Sequence, residues 1–418
     1  MTTDTATSPA AGASPTAAPS ASPSTSPPTS STSRLVRDVT IVVPSGDPRA
    51  EATTRALAGG LADRGLAVRV MMPHERSATR APTVESPGGG SVRVDRTVGR
   101  GPQWLARALA DARREAPDVV HLEWPAAATT AAAALASTSV MDWARRVRAG
   151  AAHSAPDAAP LVVSLHHVVA HDRSVRAGDV LHGAALATAR VLADAVVVDE
   201  PASRALVPEA FVIPAGVTRI VLPDRAQARG ALGLDERLTV LCLSELHANG
   251  GLETVLEAVQ LVVAGPAPHR RSDRGYVEAL RTLYSGTATF VQPATELDTA
   301  TCFAGCDVVL VPATDVAASV EPLAIALSSR RPILVSEAVA RHMGLATDTV
   351  VPLAPQALAA RLHGIAVRED GGAVLDRLAG WTAAVAGERT WENAAARYHE
   401  LYQRVVGEWC ARHVEVAA

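Results

Sequence analysis

The amino-acid sequence predicts an α/β protein, with two doubly wound parallel-sheet halves facing a cleft behind a disordered N-terminal tail. Three observations carry this. From residue 34 onward, short β-branched runs without polar alternation recur between longer Ala/Leu-rich stretches. That is the pattern of parallel strands covered on both faces. A Pro/Gly-containing break at residues 208–223 interrupts the rhythm, which then restarts. At 418 residues, 48% of them hydrophobic, the chain is long enough to bury two cores.

The elements follow in order. Residues 1–33 are almost all Thr, Ser, Ala and Pro, with one acidic residue and no aromatic. Such a segment buries too little apolar surface to offset its ordering entropy, and it lacks the basic start and apolar stretch of a secretory signal. The first half, 34–207, opens with a buried-type strand over 39–43, closed by Pro44-Ser45-Gly46-Asp47-Pro48. A helix over 51–64 ended by Gly65 and a strand over 67–72 complete a βαβ unit. A helix over 104–115, a strand over 118–122, an Ala-rich helix over 126–148, a strand over 161–165, a helix over 178–192 and a strand over 195–198 continue it.

The second half, 208–388, restarts with a strand over 238–243, a helix over 251–259 and a strand over 261–265. There follow a helix over 275–283, the segments 289–291 and 297–304, a strand over 308–312, a helix ending near Ser329 and a strand over 332–336. Residues 389–418 close the chain, and the apolar periodicity of 391–414 predicts a helix that packs back across both halves. Both halves are Rossmann-like, and ligands of such open sheets bind at the carboxyl ends of the strands.

Composition narrows the chemistry. Aromatics are only 3% of the chain, so the core is Ala, Val and Leu. The formal net charge is −4 without a Lys/Arg block, which argues against nucleic acid as partner and leaves at most peripheral membrane contact. No run of 18 apolar residues occurs. Cys242, Cys302, Cys306 and Cys410 are too scattered for a disulfide framework, and two thiols four residues apart do not make a zinc site. They read as buried hydrophobes in a reducing, cytoplasmic compartment.

Several side chains fall at strand ends. His121, Glu123 and Trp124 offer hydroxyl-binding groups and a flat face for a sugar, or else a packed indole beside a satisfied histidine. His166 also leaves a strand; with His167, His171 and Asp172 it has no recognised metal-ligand spacing. His171-Asp172 suits an orienting pair at an acceptor or a pair that stabilises its own loop. Gly46 sits in a loop that can close over a ligand, but the loop lacks the repeated glycines of a dinucleotide site. Gly88-Gly89-Gly90 has no strand-to-helix context and reads as a plain loop.

An ordered series of segments resembles the family-four glycosyltransferases of the GT-B fold. It comprises His121-Leu122-Glu123-Trp124-Pro125, the 166–172 segment, Ala193-Asp194-Ala195-Val196-Val197-Val198, Ile213-Pro214-Ala215-Gly216-Val217, and Gly251-Leu252-Glu253 with Leu256-Glu257-Ala258. Ala326-Leu327-Ser328, Arg331-Pro332 and the closing Trp391-Glu392, Tyr398 and Leu401-Tyr402 complete it. The resemblance implies transfer of a sugar from a UDP-, GDP- or ADP-linked donor, used as co-substrate with no tightly bound cofactor and no metal, to a carbohydrate or other hydroxyl acceptor. Retention of configuration is implied, with the acceptor on the first half and the nucleotide on the second. His166 falls where the family contacts the transferred sugar, and His121 joins it as the second catalytic candidate.

The departures lie on the donor side. The family meets the diphosphate with an Arg and a Lys after the first C-terminal strand. Here the loop is Ser244-Glu245-Leu246-His247-Ala248-Asn249-Gly250-Gly251, with Glu245 and Gly250 at the cation positions. A carboxylate beside a diphosphate costs about 1 kcal/mol even at surface dielectric. The family's paired glutamates fall on Ala317 and Ile325. What remains is a helix N-terminus at Ser319-Val320-Glu321-Pro322, which either holds phosphate on its free N–H groups or is simply capped by Ser319 and opposed by Glu321. Glu321 also suits ribose hydroxyls, and His247 a weak cationic donor. The alternative to a transferase is a degenerate relative that acts as a binding or scaffold partner of an active paralogue. A non-hydrolysing epimerase ranks last, because the carboxylate and basic triads it needs are not evident.

Overall fold

The computed structural model describes residues 35–43, 48–73, 83–98, 104–124, 159–166, 187, 189–243, 260–265, 271–285, 288–292, 295–313, 320–345, 349–367 and 371–417. Two sheets dominate. The first contains β1 (Asp38–Val42), β2 (Ala67–Pro73), β3 (Val84–Glu85), β4 (Ser91–Val98), β5 (Val119–Trp124), β6 (Leu161–Leu165), β7 (Ala195–Val198) and β8 (Phe211–Val212), in the order β3-β4-β2-β1-β5-β6-β7-β8. All neighbours are parallel except the short β3 on β4. The second contains β9 (Thr239–Leu243), β10 (Gln260–Ala264), β11 (Ala288–Val291), β12 (Val308–Val311), β13 (Ile333–Ser336) and β14 (Val350–Val351), all parallel in the order β11-β10-β9-β12-β13-β14.

Within each sheet the strand order reverses once, between β1 and β5 and between β9 and β12. Such switch points open a crevice at the carboxyl ends of the strands. The 44–47 loop carrying Gly46 leaves β1 at the first. Residues 244–250 follow β9 and 314–319 follow β12 in the chain; these segments and 44–47 lie outside the described residues. The expected helices over 126–148 and 251–259, and most of that over 178–192, lie outside them too.

Helices cover the faces. Those described are α1 (Pro48–Ala62), α2 (Trp104–Arg113), α3 (Arg225–Leu232), α4 (Arg271–Leu283), α5 (Glu296–Gly305), α6 (Val320–Ser329), α7 (Glu337–Met343), α8 (Pro355–Val367), α9 (Gly371–Glu388) and α10 (Trp391–Ala417). Odd and even positions of the first sheet's strands face opposite ways. Val39, Ile41, Val119, Val162, Ala195 and Val197 point to α1 and to Tyr398, Leu401, Tyr402 and Val405 of α10. Val42, Val120, Leu122, Leu161, Val163 and Val196 point to Leu109 and Ala112 of α2. Leu378 and Ala386 of α9 join the cores of the second sheet. The chain therefore returns to the first sheet in the two residues between α9 and α10, and Ala395, Tyr398, Leu401, Tyr402, Val405 and Val406 of α10 lie in the first half's core.

The carboxyl ends of the sheets meet. The 3-10 turn Pro201–Ala205, just beyond β7, touches α7, just beyond β13. The hairpin β3–β4 is absent from the sequence-based expectation, and it explains the glycine run. A Cβ on Gly88 would lie 1.8 Å from the Asp63 carbonyl oxygen, and one on Gly90 2.3 Å from that of Leu66. These glycines let the hairpin lie against the end of α1.

Candidate functional site

The alternation of three neighbouring strands places a polar column in an otherwise apolar face. His121 and Glu123 of β5, Ser164 of β6, His166 just after β6 and Asp199 just after β7 all share the face that α10 covers. Register stacks them: Glu123 is opposite Ser164, and His121 opposite Val162. Depth increases away from the strand ends. His121 and Ser164 are fully buried, Glu123 and Asp199 are nearly so, and His166 alone keeps one fifth of its side chain exposed.

The hydrogen bonds form one connected network. Tyr402 of α10 bonds His121 Nδ1 at 2.7 Å, and His121 Nε2 meets Ser164 Oγ at 2.7 Å. Ser164 Oγ in turn meets the Tyr398 hydroxyl at 2.8 Å. Nearer the surface, His166 donates from Nδ1 to both oxygens of Asp199, at 3.0 and 2.9 Å, and from Nε2 to Glu123 Oε2. Glu123 Oε1 stands 3.7 Å from His121 Nε2, joining the two layers.

Electrostatics separates the two histidines. Burial pushes His121 below the ordinary histidine range, with Glu123 only partly opposing, so it is a neutral ring. Burial acts the same way on His166, but Asp199 and Glu123 outweigh it and hold the ring charged well above its usual range. Burial alone would raise Glu123, yet His166 and His121 hold it below the usual carboxylate range. Burial pushes the Tyr398 and Tyr402 phenols well up, so both keep their protons. The arrangement is a dicarboxylate-bound imidazolium at the carboxyl end of the first sheet, resting on a neutral hydrogen-bonded floor. With both N–H groups given to carboxylates it can orient a ligand by charge alone, and a ring with both nitrogens protonated is no proton acceptor.

The structure brings together three of the first-half candidates and corrects the expected placement of two. His121 does not leave a strand end. It lies in mid-strand opposite Ile41, with no exposed surface, and is positioned to act only through its neighbours. Trp124 points to the opposite face, where it packs with Leu122, Leu165 and Val198, so the expected stacking platform is a core side chain. His166 and Glu123 lie at the carboxyl ends of β6 and β5, although His166 offers less surface than expected because carboxylates occupy both ring nitrogens. Gly46, His171, Asp172, Ser244, Glu245, His247, Gly250, Gly251 and Ser319 lie outside the described residues. Glu321 lies in the first turn of α6, which begins at Val320 as the Pro322 signal implies. Sequence reasoning missed Ser164, Asp199 and both tyrosines as site residues. The i, i+4 spacing of Tyr398 and Tyr402 is the signal that could have found the tyrosines.

Cys242, Cys302 and Cys306 are buried, and burial pushes the thiols of Cys242 and Cys302 up to about 12 and 11. They are inert packing groups. Among the described residues no group of three His, Cys, Asp or Glu side chains is arranged to hold a metal ion, and no helix is long and apolar enough to cross a membrane.

Comparison with known proteins fits this geometry. Residues 50–222 match Glycosyltransferase Family 4. Sucrose-phosphate synthase from Thermosynechococcus elongatus superposes with a TM-score of 0.63 at 19% identity, over 88% of this chain and 99% of that one. HepE of Anabaena, solved with UDP and glucose, gives 0.60 at 16% identity over 87% and 99%. The catalytic domain of starch synthase IV from Arabidopsis thaliana, bound to ADP and acarbose, gives 0.57 at 13% over 89% and 100%. The fold is that of a GT-B glycosyltransferase. No curated protein sequence matches the chain.

Proposed function

We propose that this protein is a glycosyltransferase that moves a sugar from a nucleotide-sugar to a hydroxyl acceptor with retention. Residues 34–207 form the acceptor side, residues 208–388 the nucleotide side, and residues 389–418 the returning segment. The observation that carries this reading is the Glu123–His166–Asp199 group at the carboxyl end of a sheet whose chain segment matches a glycosyltransferase family. Two buried carboxylates fix the imidazolium, leaving a rigid, charged edge against which sugar hydroxyls can be oriented. UDP- and ADP-bound relatives support a nucleotide-sugar as co-substrate. Phosphate is held by backbone N–H groups at Gly250-Gly251 and at the start of α6 near Ser319, with His247 beside them and Glu321 on the ribose. On the acceptor side, Gly46, His171 and Asp172 border the sugar.

A thermal-shift panel of UDP, GDP and ADP and their glucose conjugates tests this, followed by a transfer assay on whichever raises the melting temperature. The double variant Glu245→Arg/Gly250→Lys should tighten donor binding, each restored charge-assisted contact contributing about 1.5–3 kcal/mol, or roughly ten- to hundredfold. If neither form binds any nucleotide at millimolar concentration, the protein is a binding or scaffold relative instead. The acidic residue at 245 is the observation that favours that second reading.

A further inference from the structure

Asp199 and Glu200 are consecutive residues beyond β7, and they grip different parts of the molecule. Asp199 holds Nδ1 of His166 through both carboxylate oxygens. Glu200, also buried, accepts from both terminal nitrogens of Arg389 at 3.0 and 3.1 Å. Arg389 lies where the chain passes from α9 back to α10, and its carbonyl accepts the Val217 N–H of the other crossing at 2.6 Å. Two residues on, Trp391 donates Nε1–H to Thr218 Oγ1 at 3.0 Å and lies against Gly216. The two chain segments that join the sheets are thereby tied to each other and to Glu200.

The same C-terminal segment reaches His166 by a second route. Tyr402 holds His121, which stands beside Glu123, and Glu123 accepts from Nε2 of His166. Both ring nitrogens of the crevice histidine are thus referred to the returning segment. A bidentate guanidinium–carboxylate pair fixes orientation as well as distance, which a single ammonium does not.

We propose that Arg389 is a positioning residue for His166, and that the Glu200–Arg389 pair transmits movement at the crossing between the sheets to the crevice through the Asp199-Glu200 peptide. The consequence for catalysis rests on the function proposed above; the coupling itself does not.

The test uses the full, ligand-free chain with isotope-labelled histidine, and follows the His166 ring by NMR titration, assigned with His166→Gln. Among the described residues, the charged and titratable groups facing the ring or its carboxylate partners are Glu123 and His121 on β5, Asp199 and Glu200 after β7, and Tyr398 and Tyr402 on α10, with Arg389 beyond. Through space, loss of the Arg389 charge raises the His166 midpoint while the proton uptake it allows at Glu200 lowers it, so Glu200→Asp, which keeps both charges, separates positioning from charge. Loss of positioning lowers the midpoint, because Asp199 moves away. Arg389→Met should therefore lower the His166 midpoint toward the ordinary histidine range, and Arg389→Lys should lower it less.

Glu200→Asp, which keeps the charge but shortens the reach, should also lower the midpoint, and it decides the matter if Arg389→Met fails to fold. A midpoint that rises or stays fixed in the folded variants overturns the proposal. A transfer assay on the same proteins separates the two claims. If the unmodified protein transfers no sugar, the proposed function fails while the titration still decides the coupling. If it does transfer, Arg389→Met should lower kcat with little change in the KM for donor.

Discussion

Replacing Tyr402 by Phe removes one oxygen from the most buried part of the polar network. Tyr402 and His121 have no exposed surface, and the Tyr402 hydroxyl meets His121 Nδ1 at 2.7 Å. The ring itself stays, still edge-on to the imidazole with centroids 5.8 Å apart, so apolar packing is nearly unchanged. What is lost is the partner of a buried ring nitrogen that water cannot reach. Leaving such a group unpaired costs about 1–3 kcal/mol, more than the net value of the bond itself. Tyr398→Phe should cost less, about 0.5–1.5 kcal/mol, because Ser164 keeps its bond to His121. Urea unfolding followed by circular dichroism measures both, provided the slope with denaturant is unchanged. Adding His121→Leu to Tyr402→Phe removes both polar partners and should recover much of the loss. A Tyr402→Phe variant as stable as the parent, or a double variant no better than additive, would refute the claim that this hydroxyl satisfies His121.

Trp124→Ala should lower stability by about 3–5 kcal/mol, as for a core aromatic, with any effect on acceptor KM following from unfolding; a fully stable variant with a raised KM would restore the stacking role. Gly216→Ala should destabilise by about 1–3 kcal/mol, because its Cβ would lie 2.4 Å from the Trp391 indole, and calorimetric melting reads it directly. Burial raises Glu200 from 4.5 to about 7 despite Arg389, so the folded state holds this proton more tightly than the unfolded chain. That contribution is present below pH 4.5 and lost as pH rises to 7; the stability of the parent relative to Glu200→Gln should fall across this window and then level, and a rise would contradict the assignment. His166 has the same sign at higher pH: its contribution is full below pH 6.5 and is lost as pH rises through the folded value, which paired denaturation of the parent and His166→Gln from pH 6 to 9 would show.

Much of the fold was legible because period and length are local properties. The uninterrupted apolar runs at β1, β5, β6, β7, β9 and β12 mark parallel strands covered on both faces, and the structure has them within a residue or two of expectation. The alternating run Ser91-Val92-Arg93-Val94-Asp95 was as plain in the sequence, but its strand lies toward the edge of the sheet, where alternation replaces continuous hydrophobicity. Helices α8 and α9 do not stand out in the sequence because the Ala-rich stretch they share has weak amphipathic contrast.

Residue types and strand membership mark His121, Glu123, Trp124 and His166 as site candidates from the sequence alone. Which way each points did not follow from membership. One residue of register separates Glu123, in the polar column under α10, from Trp124, in the opposite core, because successive strand side chains face opposite ways. Nor could the sequence alone pair His166 with Asp199, 33 residues on, or His121 with Tyr402, 281 residues on. Those contacts exist only once three parallel strands stand side by side and the last helix lies across them. Local periodicity determines the elements, but the partners of a buried charge are chosen by whatever the packed chain brings within hydrogen-bonding distance.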